Sequence, residues 1–206
     1  MFRNLLNPEN GLMVTLTQIT DCVFLSLFFF LGSFPLVTVG AASCALYDAV
    51  RRCFREHEPR PWRRFFDTFL RDLKASILPA LLLLAAVWFG GKGMVGLWNG
   101  AVAGSVSWPV FSGVGFLAVT AAGVLSVLFP LLSRFDNPLP LLLKNTVLLA
   151  LGNMPRTIGL GILNTLTVWL CARWIFPLLF LPAVSALIST YLLEPMFQPY
   201  LTENAA

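Results

Sequence analysis

Charge is scarce in this sequence. Only 12% of the 206 residues are Asp, Glu, Lys or Arg, whereas 57% are hydrophobic and the mean hydropathy is +0.78. About a quarter of the residues in a soluble domain are charged, and disordered chains combine low hydrophobicity with high net charge. The composition therefore excludes both classes and predicts an integral membrane protein.

Histidine and clustered cysteine are also lacking. The single histidine, His57, lies in a polar segment and is expected at the surface. The four cysteines are far apart in the sequence: Cys22, Cys44, Cys53 and Cys171. Zinc sites need several closely spaced His or Cys ligands, and a Ser-His-Asp site needs a histidine beside its serine. We therefore expect no metal, no cofactor and no enzymatic activity.

Long apolar runs indicate membrane-spanning helices, because a helix needs about 20 mostly apolar residues to cross a bilayer. Four runs meet this requirement directly: 12–33, 76–98, 109–132 and 174–193. A fifth, 156–173, is a little short but carries no charge between Thr157 and Ala172. Residues 36–55 are ambiguous. Their small residues at four-residue spacing favour a crossing helix packed inside the bundle, and the alternative is an extension of the first span. The sequence thus predicts an all-α, polytopic transmembrane helical bundle with six spans, or alternatively five.

Basic residues predict the orientation of the bundle. Residues 51–74 contain eight of the 14 Lys and Arg residues, and such loops remain in the cytoplasm. Residues 133–156 add three more on the same side. Six spans place both termini in the cytoplasm, whereas five place the N-terminus outside. The basic residues barely separate these alternatives, and we favour six spans.

Two short segments between the spans are predicted to be interfacial helices. In residues 61–74, aromatic residues recur at helical spacing with arginines between them, which is typical of a helix under lipid headgroups or of a docking helix. Residues 139–152 are apolar but too short to span. The predicted partner or lipid surface comprises Trp62, Arg63, Arg64, Phe65, Phe66, Phe69, Arg71, Arg134, Asn145 and Arg156.

Two acidic residues lie in or beside predicted spans. An acid at the centre of a membrane helix costs about 3 kcal/mol and by default indicates function. Asp21 is interpreted as a polar contact between helices or as part of a proton or cation relay, and both remain open. For Asp48 we favour an interfacial acid near Arg51 and Arg52 over a relay. The candidate helix-packing and hairpin residues are Pro35, Thr38 and Gly40.

Several short motifs resemble one bacterial family. The string Ser-Phe-Pro-Leu-Val-Thr-Val-Gly-Ala-Ala at residues 33–42, followed by Ala-Leu-Tyr at 45–47, resembles the YesL-like membrane proteins, also called DUF624. Residues 129–135, 143–145 and 153–157 agree with it in the second half. Members are small polytopic membrane proteins of unestablished activity, often encoded beside carbohydrate ABC importers.

The resemblance implies an accessory or assembly role in carbohydrate ABC import, in the bacterial plasma membrane. Its implied partners are membrane lipids and permease subunits, and it supplies no catalytic residues. The alternative function is an autonomous carrier or channel for a small solute, with Asp21 as its polar site. The basic residues that give the net charge of +4 lie beside the apolar runs rather than on a soluble face, so no nucleic-acid partner is expected. A homo-oligomer remains open.

Overall fold

The computed structural model describes residues 11–56, 58, 60–134 and 138–203. His57 lies outside these residues. The described helices are α1 Gly11–Ser33, α2 Val39–Val50, α3 Pro61–Val102, α4 Trp108–Arg134, α5 Leu139–Gly152, α6 Met154–Arg173, α7 Ile175–Leu178 and α8 Leu181–Glu203. A 3-10 helical turn, Leu36–Thr38, precedes α2, and a π-helical turn, Arg51–Arg55, follows it directly. No strand occurs in the described ranges, so the predicted all-α class is confirmed.

Three helices are long and apolar enough to cross a membrane. They are α1 from Leu16, α3 and α4. The pair α5 and α6, bent by 105° at its junction, passes the same test as a unit and gives up to four candidate spans. The predicted count of six stays a prediction, since length and composition support three or four among the described residues.

The first two helices form a hairpin whose second arm is buried. Ala41, Ala42, Ala45 and Ala49 on α2 have no exposed surface. Their short side chains let α2 lie close to its neighbours, so the segment packs inside the bundle as its small residues predict. α2 continues without a break into the π-helical turn Arg51–Arg55, so helical conformation extends over residues 36–55, the bounds predicted for this segment.

The predicted interfacial helix 61–74 and the predicted span 76–98 are one helix. α3 runs without interruption for 42 residues, with Pro61 in its first turn and Pro79 in its interior. Pro79 lacks the N–H that would bond the carbonyl of Ala75, so one helical hydrogen bond is missing near the polar-to-apolar change, and the helix nevertheless continues through it. The helix ends before Gly104, whose φ of +76° suits glycine and few other residues.

α4 returns antiparallel to α3. Met94 lies beside Gly115, and the rings of Trp98 and Trp108 meet edge to face with centroids 6.0 Å apart. At the opposite end of the pair, Arg71 donates a hydrogen bond to the carbonyl of Ser133. The part of this pair formed by residues 81–102 and 108–118, called the arm below, has mostly exposed side chains.

Prolines mark the helix starts in the last third of the chain. Pro155 lies in the first turn of α6, after the break at Asn153. The predicted span 174–193 is divided, because α7 ends at Leu178 and α8 begins at Leu181 with Pro182 in its first turn. Proline suits a first turn, where its missing N–H costs no helical hydrogen bond. This segment is therefore a short helix and a long one rather than one continuous helix.

Candidate functional site

A buried ion cluster lies where α2 meets α3. Asp48 is 3% exposed and accepts hydrogen bonds from Arg51 at 3.2 Å, Arg52 at 2.9 Å and the hydroxyl of Thr68 at 2.9 Å. A buried carboxylate is costly unless it is paired and hydrogen-bonded, and Asp48 meets both conditions. The interpretation of Asp48 as an acid beside Arg51 and Arg52 agrees with these contacts.

Glu194 on α8 extends this cluster to the other side of α2. Its carboxylate accepts hydrogen bonds from the Tyr47 hydroxyl at 3.1 Å and from Arg134 at 2.7 Å. Nε of Arg51 lies 3.8 Å from the same carboxylate, and Arg51 also contacts Glu56. The ion cluster, formed by Tyr47, Asp48, Arg51, Arg52, Thr68, Arg134 and Glu194, therefore ties α2, α3, α4 and α8 together.

Asp21 lies half-buried on α1. It is not among the groups described as hydrogen-bonding to Asp48, which are Arg51, Arg52 and Thr68.

The candidate hairpin residues lie together between α1 and α2. The Thr38 hydroxyl contacts the carbonyls of Gly32 at 2.6 Å and Pro35 at 2.9 Å, which holds the turn closed. Gly40 sits against α3, where an added Cβ would be 2.9 Å from the carbonyl oxygen of Ser76. A larger residue at position 40 would push the hairpin away from α3.

The predicted aromatic and basic surface is divided between the core and the outside. Phe65 is 1% exposed, and its ring contacts Phe28 of α1 with centroids 6.1 Å apart. Trp62 and Phe66 remain exposed. The Phe66 ring also contacts Phe28, with centroids 5.1 Å apart, so both phenylalanines pack on α1, and the side of these turns that remains exposed is available to lipid or protein.

Several of the basic residues in the predicted surface are engaged within the chain. Arg71 binds Asp72 at 2.7 Å and Arg64 binds Glu58 at 2.8 Å. Arg134 belongs to the ion cluster and Arg156 contacts Asn153 at 3.4 Å. Arg63 is exposed, whereas Asn145 is half-buried on α5. These residues do not form one continuous patch.

A cavity of about 450 Å³ lies next to the ion cluster, between α1, α2, α3, α4, α6 and α8. Apolar side chains form most of its wall, and Tyr47 connects it to the ion cluster. Ser126 and Asn164 lie on its polar side and are hydrogen-bonded to each other at 3.0 Å. No pattern in the sequence predicted this cavity. An asparagine in a predicted span, Asn164, was the signal that could have indicated it.

The cysteines show no sign of a shared site. All four are free thiols, and Cys44 donates a hydrogen bond to the carbonyl of Phe129 at 3.3 Å. Within the described ranges, no group of three or more His, Cys, Asp or Glu side chains is arranged to hold a metal ion.

One protein family matches this chain. Residues 11–89 fit the profile of the family described as "Protein of unknown function, DUF624". No match was found among curated proteins or solved structures. The matched segment contains α1, the hairpin, α2, Asp48 and the first part of α3. The resemblance to the YesL-like DUF624 family is therefore confirmed over residues 11–89.

Proposed function

We propose that this protein is a non-enzymatic accessory or assembly subunit that packs against another membrane protein, and that this partner is a permease subunit of a carbohydrate ABC importer. The length of its exposed apolar surface supports the first part. The resemblance to proteins often encoded beside such importers supports the second. We place the protein in the bacterial plasma membrane as a multi-pass protein, with both termini in the cytoplasm.

The exposed apolar surface is longer than a bilayer is thick. α3 has 42 residues, which extend over about 63 Å at the usual helical rise, whereas the hydrocarbon core of a bilayer is about 30 Å thick. Exposed apolar side chains follow the upper part of this helix from Ile77 to Val102. The arm contributes one end of the surface.

α1 contributes the other end. Phe28 packs on Phe65 and Gly32 lies against Phe69, so α1 advances in the same direction as the first turns of α3. Measured along the direction of α3 at the usual helical rise, Ile19, which is 57% exposed, lies about 20 Å before the position of Phe69. Val95, 60% exposed, lies about 39 Å beyond that level.

Tilting cannot place both ends in lipid. A tilt of about 40°, the upper end of the usual range, still separates these two points by about 45 Å along the membrane normal. One end of the apolar surface therefore leaves the hydrocarbon core. Exposed apolar surface of this extent in water is typical of a protein–protein interface.

Glycines on the arm indicate how a partner helix would pack. Inside the bundle, a Cβ on Gly161 would lie 2.1 Å from the carbonyl oxygen of Val119, so this glycine is needed for close contact of α6 with α4. On the arm, Gly90, Gly93 and Gly96 recur every three residues and follow one side of α3. A Cβ on any of them would meet nothing within 4 Å. Small residues let membrane helices approach closely, so we assign the partner helix to this side.

Affinity purification tests the proposal. The tagged protein is crosslinked in its native membranes, purified gently and analysed by mass spectrometry. We expect permease subunits in amounts comparable to the tagged protein. The double variant Gly93→Leu/Gly96→Leu should lower their recovery roughly tenfold, because bulky side chains separate the helices. Gly152→Leu is the matched control, since its Cβ also meets nothing within 4 Å.

Two results would count against this proposal. Recovery of the protein alone, or only with copies of itself, would remove the accessory role. Asp21→Asn would then be tested for loss of solute flux in reconstituted vesicles, as the carrier alternative predicts. Equal permease recovery with the double variant and the control, both eluting as the unaltered protein does in detergent, would show that the arm is not the interface.

A further inference from the structure

The cavity beside Tyr47 has the wall of a binding site for an uncharged molecule. Among the described residues, no charged side chain lines it, and Leu46, Leu83 and Phe129 are typical of its wall. Its volume of about 450 Å³ lies within the usual range for small-molecule sites, which are mostly apolar with a few placed polar groups. A charged ligand would lose its hydration here without gaining a partner of opposite charge.

Asn164 supplies an oriented polar group at the wall. Its Nδ2 donates hydrogen bonds to Oγ of Ser126 at 3.0 Å and to the carbonyl of Leu160 at 3.1 Å. Both amide hydrogens are thereby used, and no described residue donates to Oδ1. That oxygen is an acceptor for a ligand hydroxyl. The Ser126 hydroxyl donates its hydrogen to the Ala122 carbonyl at 2.7 Å. Its oxygen accepts from the Asn164 amide, so Ser126 orients that amide and has no hydrogen left to donate to a ligand.

The cavity opens between α3 and α6. Val87 on α3 and Val168 on α6 both line it, yet they are 62% and 68% exposed. Trp169, next to Val168, is 61% exposed, so the rim of the opening is apolar. α3 is a candidate membrane span and α6 is half of the bent candidate pair. A ligand therefore reaches the cavity sideways, from the hydrocarbon of the membrane.

We infer that the cavity between α1, α2, α3, α4, α6 and α8 binds an uncharged membrane lipid that carries a hydroxyl-bearing head, of the acylglycerol class. The lipid enters between α3 and α6. Its hydroxyl donates to Oδ1 of Asn164, and its acyl chain lies along the apolar wall. A free sugar fits poorly, because it would place polar groups against a wall that is mostly apolar. Leu83 and Val87 of the arm line this cavity, so the site adjoins the part of α3 that carries Gly90, Gly93 and Gly96.

Photocrosslinking tests this assignment. The full-length protein is placed in phosphatidylcholine nanodiscs with 1-monooleoylglycerol that carries a diazirine in its acyl chain, and adducts are located by mass spectrometry. We expect adducts on the cavity wall. Excess unlabelled 1-monooleoylglycerol should compete roughly tenfold better than methyl oleate, which lacks the hydroxyl groups. Equal competition by methyl oleate would overturn the assignment.

Two variants localise the ligand. Ala122→Leu adds three carbon atoms to the cavity wall, which obstructs the ligand, and should lower adduct formation roughly tenfold. Ala121→Leu, at an exposed neighbouring position outside the cavity wall, is the matched control and should leave it unchanged. If Ala122→Leu does not fold, Asn164→Ala serves instead and should abolish the preference for 1-monooleoylglycerol over methyl oleate. Adducts that persist in Ala122→Leu, a preference that persists in Asn164→Ala, or adducts only outside the cavity would each overturn the inference.

Discussion

Asp48 is the residue on which the ion cluster depends. Its carboxylate balances the positive charges of two arginines, of which Arg51 is only 5% exposed. A buried guanidinium that loses its carboxylate keeps its desolvation penalty without the compensating attraction. We therefore interpret the cluster as a structural contact that holds α2 against α3 and α8, rather than as a catalytic or binding site.

Removing this carboxylate should destabilise the protein strongly. We expect Asp48→Ala to lower the free energy of unfolding by about 3 kcal/mol, measured by titration with SDS in mixed micelles. Asp67→Ala is the control, because the pair of Asp67 with Arg63 is exposed and 4.0 Å long, and it should cost less than about 1 kcal/mol. Equal effects of the two substitutions would mean that the cluster does not fasten the helices.

The sequence predicted the part of this cluster whose residues are close together in the chain. Arg51 and Arg52 follow Asp48 by three and four residues, so helical spacing alone brings them near it. Thr68 and Glu194 join from other helices, 20 residues from Asp48 and 147 residues from Tyr47. The periodicity of a sequence predicts contacts within one helix, but it does not predict pairings between residues so far apart. The cavity was missed for the same reason, because six helices form it.

The contact between α4 and α6 depends on two glycines. A Cβ on Gly123 would lie 2.1 Å from the carbonyl oxygen of Thr157, and one on Gly161 would lie equally close to that of Val119. Both obstacles are backbone atoms, which cannot rotate away as a side chain can. The two helices therefore have to separate to accept any side chain at either position.

Gly161→Ala should consequently destabilise the protein by about 2 kcal/mol, a typical cost for overpacking. Gly159→Ala is the matched control in the same helix, where the added Cβ would reach only the end of Leu192 at 4.0 Å. Alanine is the better helix former, so this control should be neutral or stabilising by up to about 1 kcal/mol. The SDS titration distinguishes them, and a neutral Gly161→Ala would contradict the close contact.

At the level of elements, hydropathy predicted where helices occur but not where they begin and end. It separated residues 61–74 from 76–98 because their polarity differs, although the chain continues helically between them. It joined 174–193 because the segment is apolar throughout, although the chain breaks between α7 and α8. Helix ends depend on prolines, glycines and caps, whereas hydropathy reports the surroundings of a segment.

At the scale of the whole molecule, the hairpin of α1 and α2 covers only part of the length of α3. The hairpin between α1 and α2 meets α3 between Phe69 and Ala80, as the contacts of Gly32 and Gly40 show. α3 then continues for 22 residues to Val102, about 33 Å beyond the hairpin. α1 and the upper part of α3 therefore lie at different levels, and one bilayer of about 30 Å cannot enclose both fully.

This offset makes a prediction about depth in the membrane that requires no partner. Spin labels are attached to single cysteines at Ile19→Cys or Val95→Cys in a protein whose four native cysteines are replaced by alanine, and the protein is placed in phosphatidylcholine nanodiscs. Because the two positions are about 59 Å apart along the helix direction, only one label should show the high oxygen accessibility and low nickel-chelate accessibility of hydrocarbon. The other should be accessible to the chelate, as expected for an apolar surface normally covered by a second protein. If both labels lie in hydrocarbon, α1 is inclined away from α3 enough to share its level, and the surplus apolar surface that supports a partner does not exist.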